Sequence, residues 1–367
     1  MLDILFDPLK NLFKVNRVAI DNFIFQLHYR FTATALVMLA IVVSLTQFVG
    51  QSIRCNMDDS SKLRYYTTYC WIHSTFILPK KLNGAVGEDI PYPGIGTYTD
   101  ELEKKYIGYY QFVYFFLLLQ AILFYIPHYI WKSWDSERIK MLIQDLNQSS
   151  WFREERNLTE GCREEAQILL RNCFRNNLRA NNMYAWVYFI CEILNCLNVF
   201  FQAYLIDIFL GYEFTKYGIE VVQFLYQHPK DRIDPMSRIF PKQAKCTAYN
   251  WGGTGTIQKV DILCLLPLNI YNEKIFVFLW FWFIVLFCLS LLVLFYRILV
   301  FCCKTTRQLS LHMRARFASD DDVIIVNTKC GVGDWFLLIQ LARNIDPANF
   351  KVFLGGLASD FKNMKSK

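Results

Sequence analysis

Three groups of residues in this chain have the type and spacing to do chemistry. The first is two cysteine pairs: Cys55 and Cys70 lie in one polar stretch, Cys246 and Cys264 in another, with strongly apolar sequence between. Thiols placed this way form disulfides wherever the surroundings are oxidising. Four cysteines allow three connectivities, and spacing does not choose among them. The second group is Glu192, Asn195, Asn198 and Gln202, which recur at helical spacing inside an apolar segment and so form one polar stripe. A carboxylate in that setting either bonds to a neighbouring helix or faces water along an ion path. The third is near the start, where Asp3, Asp7, Lys10 and Lys14 share one helical face opposite Leu2, Leu5, Phe6, Leu9, Leu12 and Phe13. Pro8 fits there as the first helical residue with Asp7 as its cap. Taken from its residues alone, such a segment suits the inner surface of a membrane.

The elements that must position these groups are spans. The chain has 367 residues, of which 54% are hydrophobic and 17% aromatic. Residues 31–53 carry no charge between Arg30 and Arg54, nor do 106–130, nor 275–296 between Lys274 and Arg297. A helix crosses a bilayer with roughly 20 apolar residues, so each qualifies. A fourth stretch, 183–206, is interrupted by Glu192 alone. Pro127 in the second span predicts a kink, a feature membranes tolerate.

These runs predict spans at 31–50, 106–130, 183–210 and 274–298. Between them lie loops at 51–105, 131–182 and 211–273, with terminal regions at 1–30 and 299–367. The first thirty residues are too polar for a cleavable signal, so span one is expected to serve as an uncleaved anchor. Lys and Arg concentrate beside one set of span ends, including Arg30, Lys132, Arg138, Lys140, Arg171, Arg175, Arg179, Arg297, Lys304 and Arg307. That bias predicts a cytoplasmic middle loop and cytoplasmic termini. It also accounts for the formal net charge of +7 without a nucleic-acid partner; the expected surroundings are membrane lipid. The middle loop and tail are amphipathic with helical spacing, at 136–146, 162–178 and 333–345. The outer loops hold PYPGIG at 91–96 and WGGTGT at 251–256, predicting strands and turns with at most one short helix.

Topology sorts the cysteines. The four above face an oxidising exterior, while Cys162, Cys173, Cys302, Cys303 and Cys330 fall on the reducing side. Cys302 and Cys303, directly after span four, suit either S-palmitoylation or inert thiols. Neither outer loop has an Asn-x-Ser/Thr sequon, which leaves a bare exterior for protein contact. No HExxH, Walker, GxSxG or paired-carboxylate arrangement appears, and the five histidines show no ligand spacing. No enzyme activity, metal or cofactor is expected.

The sequence also resembles a known family along its whole length. Tyr109-Tyr110-Gln111-Phe112-Val113 resembles the YYQWV signature of innexins, the invertebrate gap-junction proteins, departing at Phe112, which keeps an aromatic ring but loses an indole N–H. Further likeness runs through Cys70–Phe76, PYPGIG, Trp131-Lys132-Ser133-Trp134, Lys245-Cys246-Thr247, Leu263–Asn269, Asn272-Glu273-Lys274, Phe278–Phe283 and Gly333-Asp334-Trp335-Phe336. The likeness is to members from insects or carried by insect viruses. It implies an all-α membrane protein with four transmembrane helices per subunit, a helical cytoplasmic dome and small disulfide-braced α+β extracellular loops. It implies an octameric hemichannel at the plasma membrane that docks with an apposed hemichannel, as a homo-oligomer or with other innexins. It implies disulfides Cys55–Cys264 and Cys70–Cys246, and an N-terminal funnel helix carrying Asp3 and Asp7 at the entrance. The expected function is passive passage of ions and small metabolites between cells. An unpaired plasma-membrane hemichannel and a four-span adhesion or scaffold protein are the alternatives.

Overall fold

The computed structural model describes residues 18–57, 60–82, 84, 87–97, 103–148, 156–227 and 234–363. Asp3, Asp7 and Pro8 lie outside the described residues. In chain order the first elements are α1 (Phe23–Phe48), β1 (Arg54–Asn56), α2 (Ser60–Ile72), β2 (Thr75–Ile77), β3 (Lys105–Ile107) and α3 (Val113–Asp135). Next come α4 (Arg138–Gln148), α5 (Arg156–Asn176), α6 (Asn182–Phe209), α7 (Phe214–Tyr226) and α8 (Pro235–Ile239). Then follow β4 (Gln243–Trp251), β5 (Ile257–Leu265), α9 (Pro267–Cys302), α10 (Lys304–Arg314), α11 (Asp320–Lys329), α12 (Val332–Asn344) and α13 (Pro347–Asn363). Helices α1, α3, α6 and α9 are long and apolar enough to cross a membrane.

Three boundaries differ from the sequence reading, each for a physical reason. The second span starts at Val113 and not at 106, because Lys105–Ile107 pairs antiparallel with Thr75–Ile77. The apolar side chains there, Ile107 and Tyr110, are buried within the folded chain. The helix that holds the fourth apolar run extends back to Pro267, and within it Glu273 is paired to Lys242 and Lys274 at 3.1 and 2.9 Å. Paired charges do not end a helix. The first span starts at Phe23, where Asn22 caps it by accepting from Phe25 N–H at 2.6 Å, and a π-helical turn at Leu27–Thr32 carries Arg30.

The loops expected to be strands and turns contain α2, α7 and α8, three helices rather than one at most. Their signal was partial: α7 buries Phe214, Tyr217, Gly218 and Val221 on one face, and α2 buries Tyr66 and Cys70 one turn apart. Helix α8 is short but well started, with Asp234 accepting from Met236 N–H at 2.9 Å and Pro235 in its first turn.

The chain forms two compact units. One comprises 1–31, 124–197 and 288–367; the other comprises 32–123 and 198–287. The first is a helical assembly built on α12, where Trp335, Phe336, Leu337, Leu338 and Leu341 are all buried. They share a core with Trp131, Tyr188, Phe350, Phe353, Leu354 and Leu357. Gly333 opens this helix because an added Cβ would sit 2.5 Å from the Asn181 carbonyl. Asp334 follows, fully buried, accepting from Arg179 N–H, Asn181 Nδ2 and Gly331 N–H at 3.0–3.1 Å. The Gly-Asp-Trp-Phe run is therefore a junction: a close approach, a cap and two core rings.

The second unit carries a five-stranded sheet of order β1-β5-β4-β2-β3. Its strands come from both loops, and every pairing is antiparallel. The β4–β5 hairpin runs in unbroken register from Gln243↔Leu265 to Trp251↔Ile257, turning through Gly252–Thr256.

Candidate functional site: disulfide-linked sheet and intramembrane polar groups

The four loop cysteines are joined between loops. Cys55 bonds Cys264, its cross-strand partner on β5, and Cys70 of α2 bonds Cys246 of β4. The bonds close 209 and 176 residues of chain. Long closures remove much of the unfolded chain's freedom, and bonds of this kind contribute about 2–5 kcal/mol each. The Sγ atoms of Cys55, Cys70 and Cys264 lie within 4.8 Å of one another. All are already in S–S bonds, so they offer no thiolate to a metal.

The Tyr109–Val113 run stitches this unit together. Tyr109 donates to the Ile239 carbonyl at 2.6 Å and meets Phe240 and Phe209 edge-on. Burial pushes its hydroxyl pKa well above the usual value, with Tyr217 and Tyr110 adding to the rise. Tyr110 is buried against Trp71, and Gln111 Nε2 donates to the Trp71 carbonyl at 2.5 Å. Val113 is fully buried, whereas Phe112 is 57% exposed. The one departure from the signature thus falls on its outward-facing member, where an aromatic ring serves without an N–H.

Next to this run, Lys242 reaches Glu273 at 3.1 Å. Burial opposes its charge, but the Glu273 carboxylate outweighs that and holds the ammonium above its usual pKa.

The polar stripe of α6 divides by depth. Glu192 is buried and held by Arg297 of α9 in a two-pronged pair, Nε–Oε2 at 2.6 Å and Nη2–Oε1 at 2.7 Å. Asn22 Nδ2 adds a third donor at 2.6 Å. The guanidinium lies over the rings of Tyr188, Phe189 and Phe336, 5.2–5.9 Å from their centroids. Such a planar fork matches a carboxylate and tolerates aromatic faces. Asn195 is buried beside His28 and Ser290, which contact each other at 2.9 Å. Gln202 donates to Asn198 at 3.4 Å.

Asn198 answers a need created elsewhere. Pro127 lies inside α3 and brings no N–H, so the carbonyl four residues back, Leu123, loses its helical donor. Asn198 Nδ2 donates to that carbonyl at 3.2 Å. In hydrocarbon a freed carbonyl must find such a partner.

Sequence reasoning missed a second cluster. Asn344 of α12 grips Ala19 from both sides, accepting its N–H at 2.7 Å and donating to its carbonyl at 2.8 Å. Gln340 Nε2 and Trp131 Nε1 both donate to the Ile20 carbonyl, at 2.9 and 3.1 Å. These bonds hold Ala19 and Ile20 against α12 and Trp131. Beside them, His128 stacks on Tyr29 at 3.6 Å and faces Asp21 at 3.4 Å. Neither Asn344 nor Gln340 has a spacing that would reveal it; the helical periodicity of α12 was the available signal.

The innexin family model matches residues 21–361. The chain belongs to the innexin family. It is 44% identical over 361 residues to Innexin inx2 of Drosophila melanogaster, covering 98% of this chain and 96% of that protein. It is 45% identical over 359 residues to Innexin inx2 of Schistocerca americana, covering 98% of each. Innexin shaking-B of Drosophila melanogaster is 39% identical over 360 residues, 98% of this chain and 95% of that one. Innexins are four-span plasma-membrane proteins and subunits of oligomeric gap-junction channels. The structure's four apolar helices, its sheet drawn from two loops and its two disulfides belong to that architecture.

Two substitution pairs test the polar groups. Arg297→Gln strands Glu192 in a buried site and should cost about 3–5 kcal/mol, read as loss of the assembled protein on gel filtration. Changing both, Glu192→Leu with Arg297→Leu, should recover most of that assembly. Asn198→Leu should lower thermal stability by about 1–2 kcal/mol, and Pro127→Ala in the same chain should shrink that loss by returning the missing N–H. Equal losses with and without Pro127 would refute the link.

Proposed function

We propose that this chain forms an octameric ring around a central pore and that two rings on apposed cells dock through the disulfide-linked sheets. Ions and small metabolites then cross by passive diffusion, and no step makes or breaks a covalent bond. The observation that carries this reading is the joining of both loops by Cys55–Cys264 and Cys70–Cys246 into one sheet. A crosslinked sheet is a rigid platform, and rigid surfaces bind without losing ordering entropy at the moment of contact. The spans support assembly as well. Only 22–44% of each span's most apolar window is buried within the chain, so neighbouring subunits and lipid must cover the rest.

In this reading both termini and the middle loop are cytoplasmic, following the Lys and Arg bias. The helical unit around α12 forms a dome, and Asn344, Gln340 and Trp131 hold the base of the N-terminal segment against it. Asp3 and Asp7 then stand at the pore entrance as a ring of carboxylates favouring cations. Other innexins with the same inter-loop disulfides are candidates for mixed rings.

Paired cells that both express the chain should show junctional conductance, recorded together with membrane current in single cells. Current in single cells without coupling would identify an unpaired hemichannel. Silence in both, with the protein at the surface, would favour a scaffold. Asp3→Asn with Asp7→Asn should reduce cation preference, and unchanged reversal potentials would remove these residues from the entrance.

A further inference from the structure

A cavity of about 420 Å³ opens between α6 and α9 near the end of the spans where α7 begins. Its walls are Phe200, Tyr204, Phe214, Phe283, Ile284 and Phe287. That volume falls within the range of about 300–1,000 Å³ that suits a small apolar ligand. Phe200, Tyr204 and Ile284 are exposed on the chain's surface, and both flanking helices are long and apolar enough to cross a membrane, so the cavity opens on a face that lipid or a neighbouring subunit covers.

One end of this apolar slot is charged. Asp207 lines it, in the last turn of α6. Its Oδ1 accepts from Thr215 N–H at 2.8 Å, while Oδ2 accepts no hydrogen bond from a described residue. Asp207 also forms no ion pair with a described Lys or Arg. An ionisable side chain within a span marks a ligand or ion site more often than a structural one. Trp280 donates Nε1–H to the Thr215 carbonyl at 3.3 Å and packs against Gly218, where an added Cβ would lie 2.0 Å from the indole. Glycine at 218 therefore lets α7 seat the indole against it. The result is a carboxylate flanked by Trp280 and Tyr204, with an apolar slot leading away along the helices.

We propose that this cavity is a binding site for a choline phospholipid, with one acyl chain in the slot and the quaternary ammonium between Asp207 and the faces of Trp280 and Tyr204. Charge decides the class of head group. A lone carboxylate repels anionic lipids, while aromatic faces and a carboxylate together attract a quaternary ammonium. The apolar walls call for a chain and not for a free cation. This inference rests on the membrane-spanning architecture alone, and channel conductance does not enter its test.

The test uses the full-length protein in nanodiscs of phosphatidylcholine or of phosphatidylglycerol, each doped with the matching lipid carrying a diazirine in the half of the acyl chain nearer the head group. After irradiation, labelled peptides are mapped by mass spectrometry. Expected is labelling of peptides around Phe200–Tyr204 and Phe283–Phe287 by the choline probe, about fivefold above the glycerol probe. Asp207→Asn should erase that preference and keep the labelling. Ala203→Trp, which fills the slot, should abolish labelling at both peptides while the disulfides and oligomer size stay unchanged. Equal labelling by both probes in the unaltered protein would overturn the head-group assignment. Labelling that survives Ala203→Trp, or absence of labelling at both peptides in the unaltered protein, would overturn the site.

Discussion

The pairing of Glu192 with Arg297 sets the terms on which the helical unit can exist. A carboxylate and a guanidinium removed from water interact strongly, but the attraction repays their desolvation only when every lone pair and N–H is matched. Here the match is close to complete: two prongs from Arg297, a third donor from Asn22, and aromatic faces around the cation. The pair joins α6 to α9, and Asn22 brings in the cap of α1. Three of the four spans are thus registered by one cluster of charge. Tyr188, one turn before Glu192, extends it by accepting from Asn22 N–H at 3.0 Å.

A narrower constraint, that a backbone carbonyl freed within a spanning helix needs a new donor, explains the proline in α3. A membrane helix can carry a proline only where something else takes the orphaned carbonyl. In this chain the substitute comes from a side chain on another span, Asn198. The stripe on α6 is therefore two devices in series, an ion pair at Glu192 and a backbone repair at Asn198.

Much of this was legible in the residues. Charge-free runs of spanning length placed all four spans, because hydrocarbon admits little else. The cysteines announced disulfides, although their pairing came from family resemblance and not from spacing. The failures share a cause: a sequence shows how apolar a residue is but not what buries it. Ile107 and Tyr110 looked like membrane residues and are buried in the sheet-bearing unit. Glu273 and Lys274 gave no sign that the helix continues past them to Pro267, since their charges are met by pairing. Helices α2 and α7 share their loops with the turn-forming runs PYPGIG at 91–96 and WGGTGT at 251–256, which carry the stronger local signal. The link from Pro127 to Asn198 has no sequence signal for a different reason: the two lie on separate helices, and only the fold brings Asn198 to Leu123.

The inter-loop disulfides also bear on how the chain is made. Cys55 emerges long before Cys264, and Cys70 long before Cys246, with separations of 209 and 176 residues. At synthesis rates of about 5–20 residues per second, the early thiols wait on the order of 10–40 s for their partners. Throughout that interval β1 has no neighbour, since β5 is its only strand partner in the sheet. Oxidation of Cys55 with Cys70 would close a short, wrong loop in the meantime. Correct bonds can form only after β4 and β5 have been delivered, so the disulfides serve as a maturation checkpoint: their presence reports that three spans have been threaded and that both loops have reached the same compartment.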